Sequence, residues 1–82
     1  MSTNDTYIKV TKLVAEQLSL DAKELNVHTL FSDLNIDELD HIEIIMRTEE
    51  MFTVEITDND ADSIKGINDL VICVDKLLEK QP

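Results

Sequence analysis

Tryptophan is absent from this chain of 82 residues, and the aromatic residues are limited to Tyr7, Phe31 and Phe52. A core must therefore be built from Ile, Leu and Val. Glycine and proline occur once each, at Gly66 and at the final Pro82. That leaves little tight-turn chemistry and favours helices over a β-sandwich. The single Cys73 excludes an internal disulfide. No apolar run approaches the ~18 residues of a membrane span, and Met1–Val10 lacks the order of a secretory signal. The simplest address is cytoplasmic. Basic residues are also scarce, 7 against 18 acidic ones, for a net charge of −11. Such a surface repels phosphate backbones and anionic membranes, which excludes nucleic acid and membrane insertion as the expected partners. It favours basic protein surfaces, with fast and salt-sensitive association.

What remains is a hydrophobic content of 43%, ordinary for a globular chain and too high for a disordered acidic tail. The length implies one domain, 1–82, taken as a monomer. A chain of this size buries only about 60–65% of the surface its unfolded form exposes, so its core is thin. Residues 1–4 are polar and read as frayed. From about Asp5 to Leu18, Tyr7, Val10, Leu13, Val14 and Leu18 recur at helical spacing, with Lys9, Lys12, Glu16 and Gln17 opposite. Residues 19–36 form a long connection holding Leu20, Leu25, Val27, Leu30, Phe31, Leu34 and Ile36. Seven apolar residues do not belong in a solvated linker, so this connection is expected to lie over the core, with a short capped turn at Asp21–Glu24.

A helix over about 38–52 follows. Asp37 suits its N-cap, and Glu38 and Asp40 place negative charge at the positive end of the helix dipole. Projected at about 100° per residue, this helix carries two apolar arcs. The broad one holds Ile44, Ile45, Thr48, Met51 and Phe52, with His41 among them, and is expected to face the core. The narrow one holds only Leu39, Ile42 and Met46. Glu38 and Glu49 border it on one side, and Asp40, Glu43 and Glu50 on the other. A globular helix needs one buried stripe. A second triad framed by carboxylates is the pattern of a docking surface, set against the plainer reading of extra core contacts and a solvated acidic face. Residues 53–57 read as an extended connection, Asp58–Ile64 as a short acidic helix, and Gly66 as its end or a turn. Ile67, Leu70, Val71, Val74, Leu77 and Leu78 define a last helix over about 67–80. The expected fold is all-α: a small four-helix bundle with three longer helices, a short third one and a long first loop.

The run Asp33-Leu34-Asn35-Ile36-Asp37-Glu38-Leu39-Asp40, followed by Glu43, Met46 and Glu49-Glu50-Met51-Phe52, closely resembles the acyl carrier protein family. That family's stretch reads, in essence, Asp-Leu-Gly-Xaa-Asp-Ser-Leu-Asp and then a Glu-rich helix ending Glu-Glu-Xaa-Phe. The resemblance runs without a gap from roughly Thr29 to Val74, and more loosely through the first helix. It implies a four-helix bundle carrying acyl groups on a 4′-phosphopantetheine arm, which is attached to the Ser after the motif Asp. It further implies docking on synthase-type or acyl-transfer enzymes of fatty-acid or polyketide-type synthesis, and no catalysis by the chain itself. Here the attachment position holds Glu38. A carboxylate offers no hydroxyl for the phosphodiester, and Ser2, Ser19, Ser32 and Ser63 lie outside the motif. No cofactor is therefore expected on the chain as written. Asn35 stands where the family often has Gly, and Asn tolerates a left-handed turn. Arg47 adds a positive charge where a small residue is usual, within i,i+4 reach of Glu43. Thr57 replaces a common Pro.

Two functional readings follow. The first is an acidic binding module that docks through Asp37, Leu39, Asp40, Ile42, Glu43, Met46, Arg47, Glu49 and Glu50 but carries no arm. The second is a true acyl carrier whose Ser has been exchanged for Glu38 by engineering. A drifted remnant without function is the bland alternative. Asp58, Asp60, Asp62 and Asp69 occupy positions 1, 3, 5 and 12 of a possible calcium loop. Position 6 is Ser63 rather than Gly and position 12 is Asp rather than Glu, so only loose divalent binding is expected. His41 and Asp37 at i,i+4 lack a third ligand or a nucleophile, and His28 in the loop says less. Cys73 reads as a half-buried apolar filler whose helix neighbours give no cause for a depressed pKa.

Overall fold

The computed structural model describes residues 3–80. Helix α1 spans Thr3–Leu18, starting earlier than the sequence pattern suggested, while Met1 and Ser2 lie outside the described residues. Its buried stripe is Val10, Leu13, Val14 and Ala15. It ends where Ser19 turns left-handed, with Leu20 N–H donating to Ala15 C=O at 2.8 Å and Ser19 N–H to Glu16 C=O at 3.4 Å. These two bonds satisfy carbonyls that a helix end otherwise leaves open.

The long connection holds two 3-10 turns. Ala22–Glu24 has the expected capping box: Lys23 N–H donates to the Asp21 carboxylate at 2.9 Å and Asp21 N–H to the Glu24 carboxylate at 3.3 Å. The second turn, Phe31–Leu34, has no counterpart in the sequence reading. It stops at Asn35, which sits left-handed at φ 54°, ψ 38°. The connection lies over the core as expected, burying Leu25 and Phe31, with Leu20, Leu34 and Ile36 packed against them. Val27 and Leu30 are corrections, being exposed. Extended backbone alternates its side chains, so turning Phe31 inward sends Leu30 out. Val27 rides the crest of a turn closed by Thr29 N–H to Asn26 C=O at 3.0 Å.

Helix α2 spans Glu38–Phe52 and buries Ile44, Ile45, Thr48 and Phe52. The Thr48 hydroxyl is satisfied inside the core by Ile44 C=O at 2.7 Å. Met51 does not join this stripe; it is exposed, because it lies on the border of the arc and Phe52 takes the core position beside it. Left-handed Thr53 caps α2, and Glu49 then fastens the chain that leaves. The Glu49 carbonyl accepts from Thr53 and Val54 N–H, and its carboxylate accepts from Ile56 N–H at 2.9 Å.

Helix α3, Asp58–Ser63, is capped by the Thr57 hydroxyl, which accepts from Asp60 N–H at 3.2 Å. Helix α4, Ile67–Glu79, buries Ile67, Leu70, Val71 and Val74, with Leu77 and Leu78 half-buried. Asp69 accepts from Lys65 N–H at 3.0 Å just ahead of it. Helix α1 packs against both α4 and α2. Its fully buried Thr6 donates to Asp75 of α4 at 2.6 Å.

Gly66 does more than mark a turn. It pairs with Leu30 in an isolated antiparallel bridge, with Phe31 N–H donating to Lys65 C=O at 2.9 Å and Ile67 N–H to Thr29 C=O at 3.0 Å. A β-carbon on Gly66 would stand 2.6 Å from the Thr29 carbonyl oxygen, so only glycine permits this approach. Among the described residues the architecture is therefore four α-helices, three longer and one short, with this one clasp and no strand.

Candidate functional site

The features with functional potential converge on α2. Asp37 is its N-cap, extended at φ −95°, ψ 179°, with its carboxylate accepting from Asp40 N–H at 2.8 Å. The first turn, Glu38-Leu39-Asp40-His41, contains no hydroxyl side chain. Glu38 is exposed and borders two hollows. One, of about 530 Å³, is walled by Leu30, Phe31, Ile36 and Ile64, with Lys65 and Ser32 at its edge. The other, of about 510 Å³, lies between α2 and α3 along Ile42, Ile45, Ile56 and Ala61.

His41 lines both hollows. Its ring is tilted 57° against Phe31 at a centroid separation of 5.8 Å, and its buried Nε2 has no hydrogen-bond partner. Ser32, Asp37 and Glu38 line the first hollow with it, but none of them is hydrogen-bonded to that nitrogen. Among the described residues no three His, Cys, Asp or Glu side chains form a group able to hold a metal. The calcium-loop spacing of Asp58, Asp60 and Asp62 fails for a simple reason. These residues lie in α3 rather than in a loop, where i,i+2 side chains diverge by about 200°. The fourth, Asp69, is committed to Lys65 N–H.

Leu39, Ile42 and Met46 are 61%, 46% and 53% exposed. The narrow arc is therefore a surface triad and not a second core face. Its rim is less uniform than the sequence suggested. Glu50 and Glu38 are exposed, whereas Asp40, Glu43 and Glu49 are half-buried. Glu49 holds Ile56, and Glu43 accepts a hydrogen bond from the Gln17 side-chain amide of α1. Arg47 does not pair with Glu43. It reaches across to α1, donating to Gln17 Oε1 at 3.2 Å and meeting Glu16 at 3.6 Å. The interhelical partners win because both lie on the face of α1 that packs beside α2. Sequence spacing relates residues within one helix, so Glu16 and Gln17 carried no signal of this role beyond their place on the polar side of α1.

Cys73 is half-buried and unpaired, in a groove between α3 and α4. Burial pushes its thiol pKa up; the Asp60 carboxylate adds to the rise and Lys76 opposes it. Of the other serines named from the sequence, Ser19 is exposed at the end of α1 and Ser63 donates to Asn59 C=O in α3. No helix among the described residues is long and apolar enough to cross a membrane.

A small helical bundle with an acidic, apolar-centred second helix defines a class that comparison with known proteins identifies. The profile of the family described as "Phosphopantetheine attachment site" matches residues 9–74. The chain is 43% identical over 72 residues to the acyl carrier protein of Helicobacter hepaticus, covering 87% of this chain and 95% of that one. It is 44% identical over 73 residues to the acyl carrier protein of Campylobacter jejuni subsp. doylei, covering 88% and 95%. The crystal structure of an acyl carrier protein from Thermotoga maritima superimposes with a TM-score of 0.83 at 26% identity, over 98% of this chain and 94% of that one. The chain belongs to the acyl carrier protein family. Members of that family are carriers and not enzymes, in keeping with the absence of a catalytic constellation from the sequence reading.

Proposed function

We propose that this protein is a cytoplasmic, monomeric binding module, one domain over 1–82, that docks through α2 on basic patches of fatty-acid or polyketide-type enzymes without carrying an acyl group. The observation that carries this reading is the exposed triad Leu39, Ile42 and Met46 set among carboxylates directly beside Glu38. The triad supplies apolar area to an enzyme surface. Asp37, Asp40, Glu43, Glu49 and Glu50 supply the field that attracts a basic one, acting mainly on the association rate. Arg47 belongs to the same rim.

The 4′-phosphopantetheine of the family does not fit the residues present. Its phosphodiester needs a hydroxyl at the helix start, and Glu38 offers a carboxylate. One observation favours the second reading, a true carrier whose Ser has been exchanged by engineering: more than two-fifths identity to proteins named acyl carrier protein. A single experiment separates the two chemistries. The chain and its Glu38→Ser variant are incubated with a phosphopantetheinyl transferase and coenzyme A, and intact masses are taken. The expected result is no adduct on the first and one adduct on the second; an adduct on the chain as written refutes the proposal. The codon in the genome distinguishes natural loss from engineering. Docking is tested separately with Ile42→Asp and Glu50→Lys against a purified condensing enzyme of fatty-acid synthesis. Unchanged affinity of both variants at low salt would remove the α2 face as the contact.

A further inference from the structure

Residues 33–62 contain 11 of the 18 acidic residues and only one of the seven basic ones, Arg47. This lone cation stands on α2, next to Met46 of the triad. It is held from α1 at two points, by Gln17 Oε1 at 3.2 Å and Glu16 at 3.6 Å. The Gln17 side chain, whose oxygen receives Arg47, gives its amide N–H to Glu43. The guanidinium is thus drawn toward α1 at the margin of the α2 face. The side chains of Arg47 and Glu16 remain 42% and 53% exposed, so the ion pair itself contributes little to stability. A guanidinium has five N–H donors, and these contacts engage only some of them.

We infer that Arg47 is a specificity residue of the α2 face, selecting an enzyme whose basic docking surface is interrupted by a carboxylate at the Met46 end. This rests on the docking function proposed above. An all-acidic rim accepts any Lys- or Arg-rich surface. A guanidinium within that rim repels a cation placed opposite it and offers a carboxylate a two-pronged hydrogen bond. It also gives the Met46 end of the rim a hydrogen-bond donor that the carboxylates around it lack.

The test uses the full chain with Arg47→Ala, Arg47→Glu and Glu50→Lys. The probe is a purified condensing enzyme of fatty-acid synthesis whose carrier-docking face holds only Lys and Arg. Against this probe Arg47→Glu is expected to bind on the order of ten-fold tighter at low salt, with Arg47→Ala between it and the parent, since like charges facing each other oppose docking. The gain should shrink in high salt as surface charges are screened. Each Lys or Arg of the probe's face is then changed to Glu in turn. One position should strengthen binding of the parent chain while weakening that of Arg47→Glu. Unchanged or weaker binding of both Arg47 variants, with Glu50→Lys still harmful, overturns the role of Arg47 alone. Indifference to Glu50→Lys as well overturns the docking reading, and this inference with it.

Discussion

Replacing Gly66 by Ala places a methyl group 2.6 Å from the Thr29 carbonyl oxygen, 3.1 Å from Leu30 Cδ2 and 3.2 Å from Leu30 Cα. Two of these three atoms are backbone, so no flexible side-chain end can move aside for them. The chain then has two routes. If the clasp holds, it bears an overpacked contact, which costs about 1–3 kcal/mol. If it opens, it forfeits the bonds from Phe31 N–H to Lys65 C=O and from Ile67 N–H to Thr29 C=O, each worth about 1 kcal/mol net. Either route costs about 2 kcal/mol, from which the reduced freedom of the unfolded chain returns about 0.4–1 kcal/mol. Backbone strain adds nothing, because φ of −171° is open to any residue. The expected net loss is about 1–2 kcal/mol, and a domain of this size then melts roughly 5–15 °C lower. Urea unfolding followed by far-UV circular dichroism measures it, with Lys65→Ala as a control that keeps the bridge backbone intact. A Gly66→Ala variant within about 0.5 kcal/mol of the parent would show that the clasp does not constrain the fold.

Three further outcomes follow from single contacts. Asp37→Ala removes the acceptor for Asp40 N–H and should cost about 1 kcal/mol in denaturant unfolding, while Asp37→Asn should recover most of it. Glu49→Ala leaves the N–H of buried Ile56 without its acceptor and should lose about 1–2 kcal/mol, with Glu49→Gln retaining much of the bond; equal stabilities would refute the fastening role. Cys73 should react with iodoacetamide more slowly in the native protein than in urea, because burial raises its thiol pKa. For the same reason the folded state keeps its thiol proton after the unfolded chain has lost one. Stability should therefore decline as pH rises above about 8.5, level off above the native pKa, and lose that decline in Cys73→Ala.

The sequence announced what depends on relations within one element. Asp37 as N-cap, the box at Asp21 and Glu24, the left-handed Asn35 and the four helices all rest on local hydrogen bonding or on 3.6-residue periodicity, and all are present. The surface triad was legible for the same reason, because a helix projection separates Leu39, Ile42 and Met46 from Ile44, Ile45 and Phe52. Where two elements meet, the rotation of one against the other decides, and spacing does not encode it. Arg47 therefore looked paired to Glu43 along its own helix, whereas α1 supplies nearer partners in Glu16 and Gln17. Met51 stood at the margin of an arc whose covered width only packing fixes. The exposure of Leu30 follows from a bridge to a residue 36 positions away, for which no local signal exists.

That bridge has a consequence for how the molecule assembles. Joining Leu30 to Gly66 closes a loop containing all of α2 and α3, and the entropy of closing ~36 residues amounts to about 3 kcal/mol before any constant is added. Two hydrogen bonds worth about 1 kcal/mol each cannot meet that cost unaided. The clasp shuts only after the enclosed helices have packed, so it cannot serve as a nucleus. Its amides, Phe31 and Ile67, act as latches on the finished fold. In hydrogen exchange they should open with the whole loop, although their neighbours Leu30 and Lys65 face water.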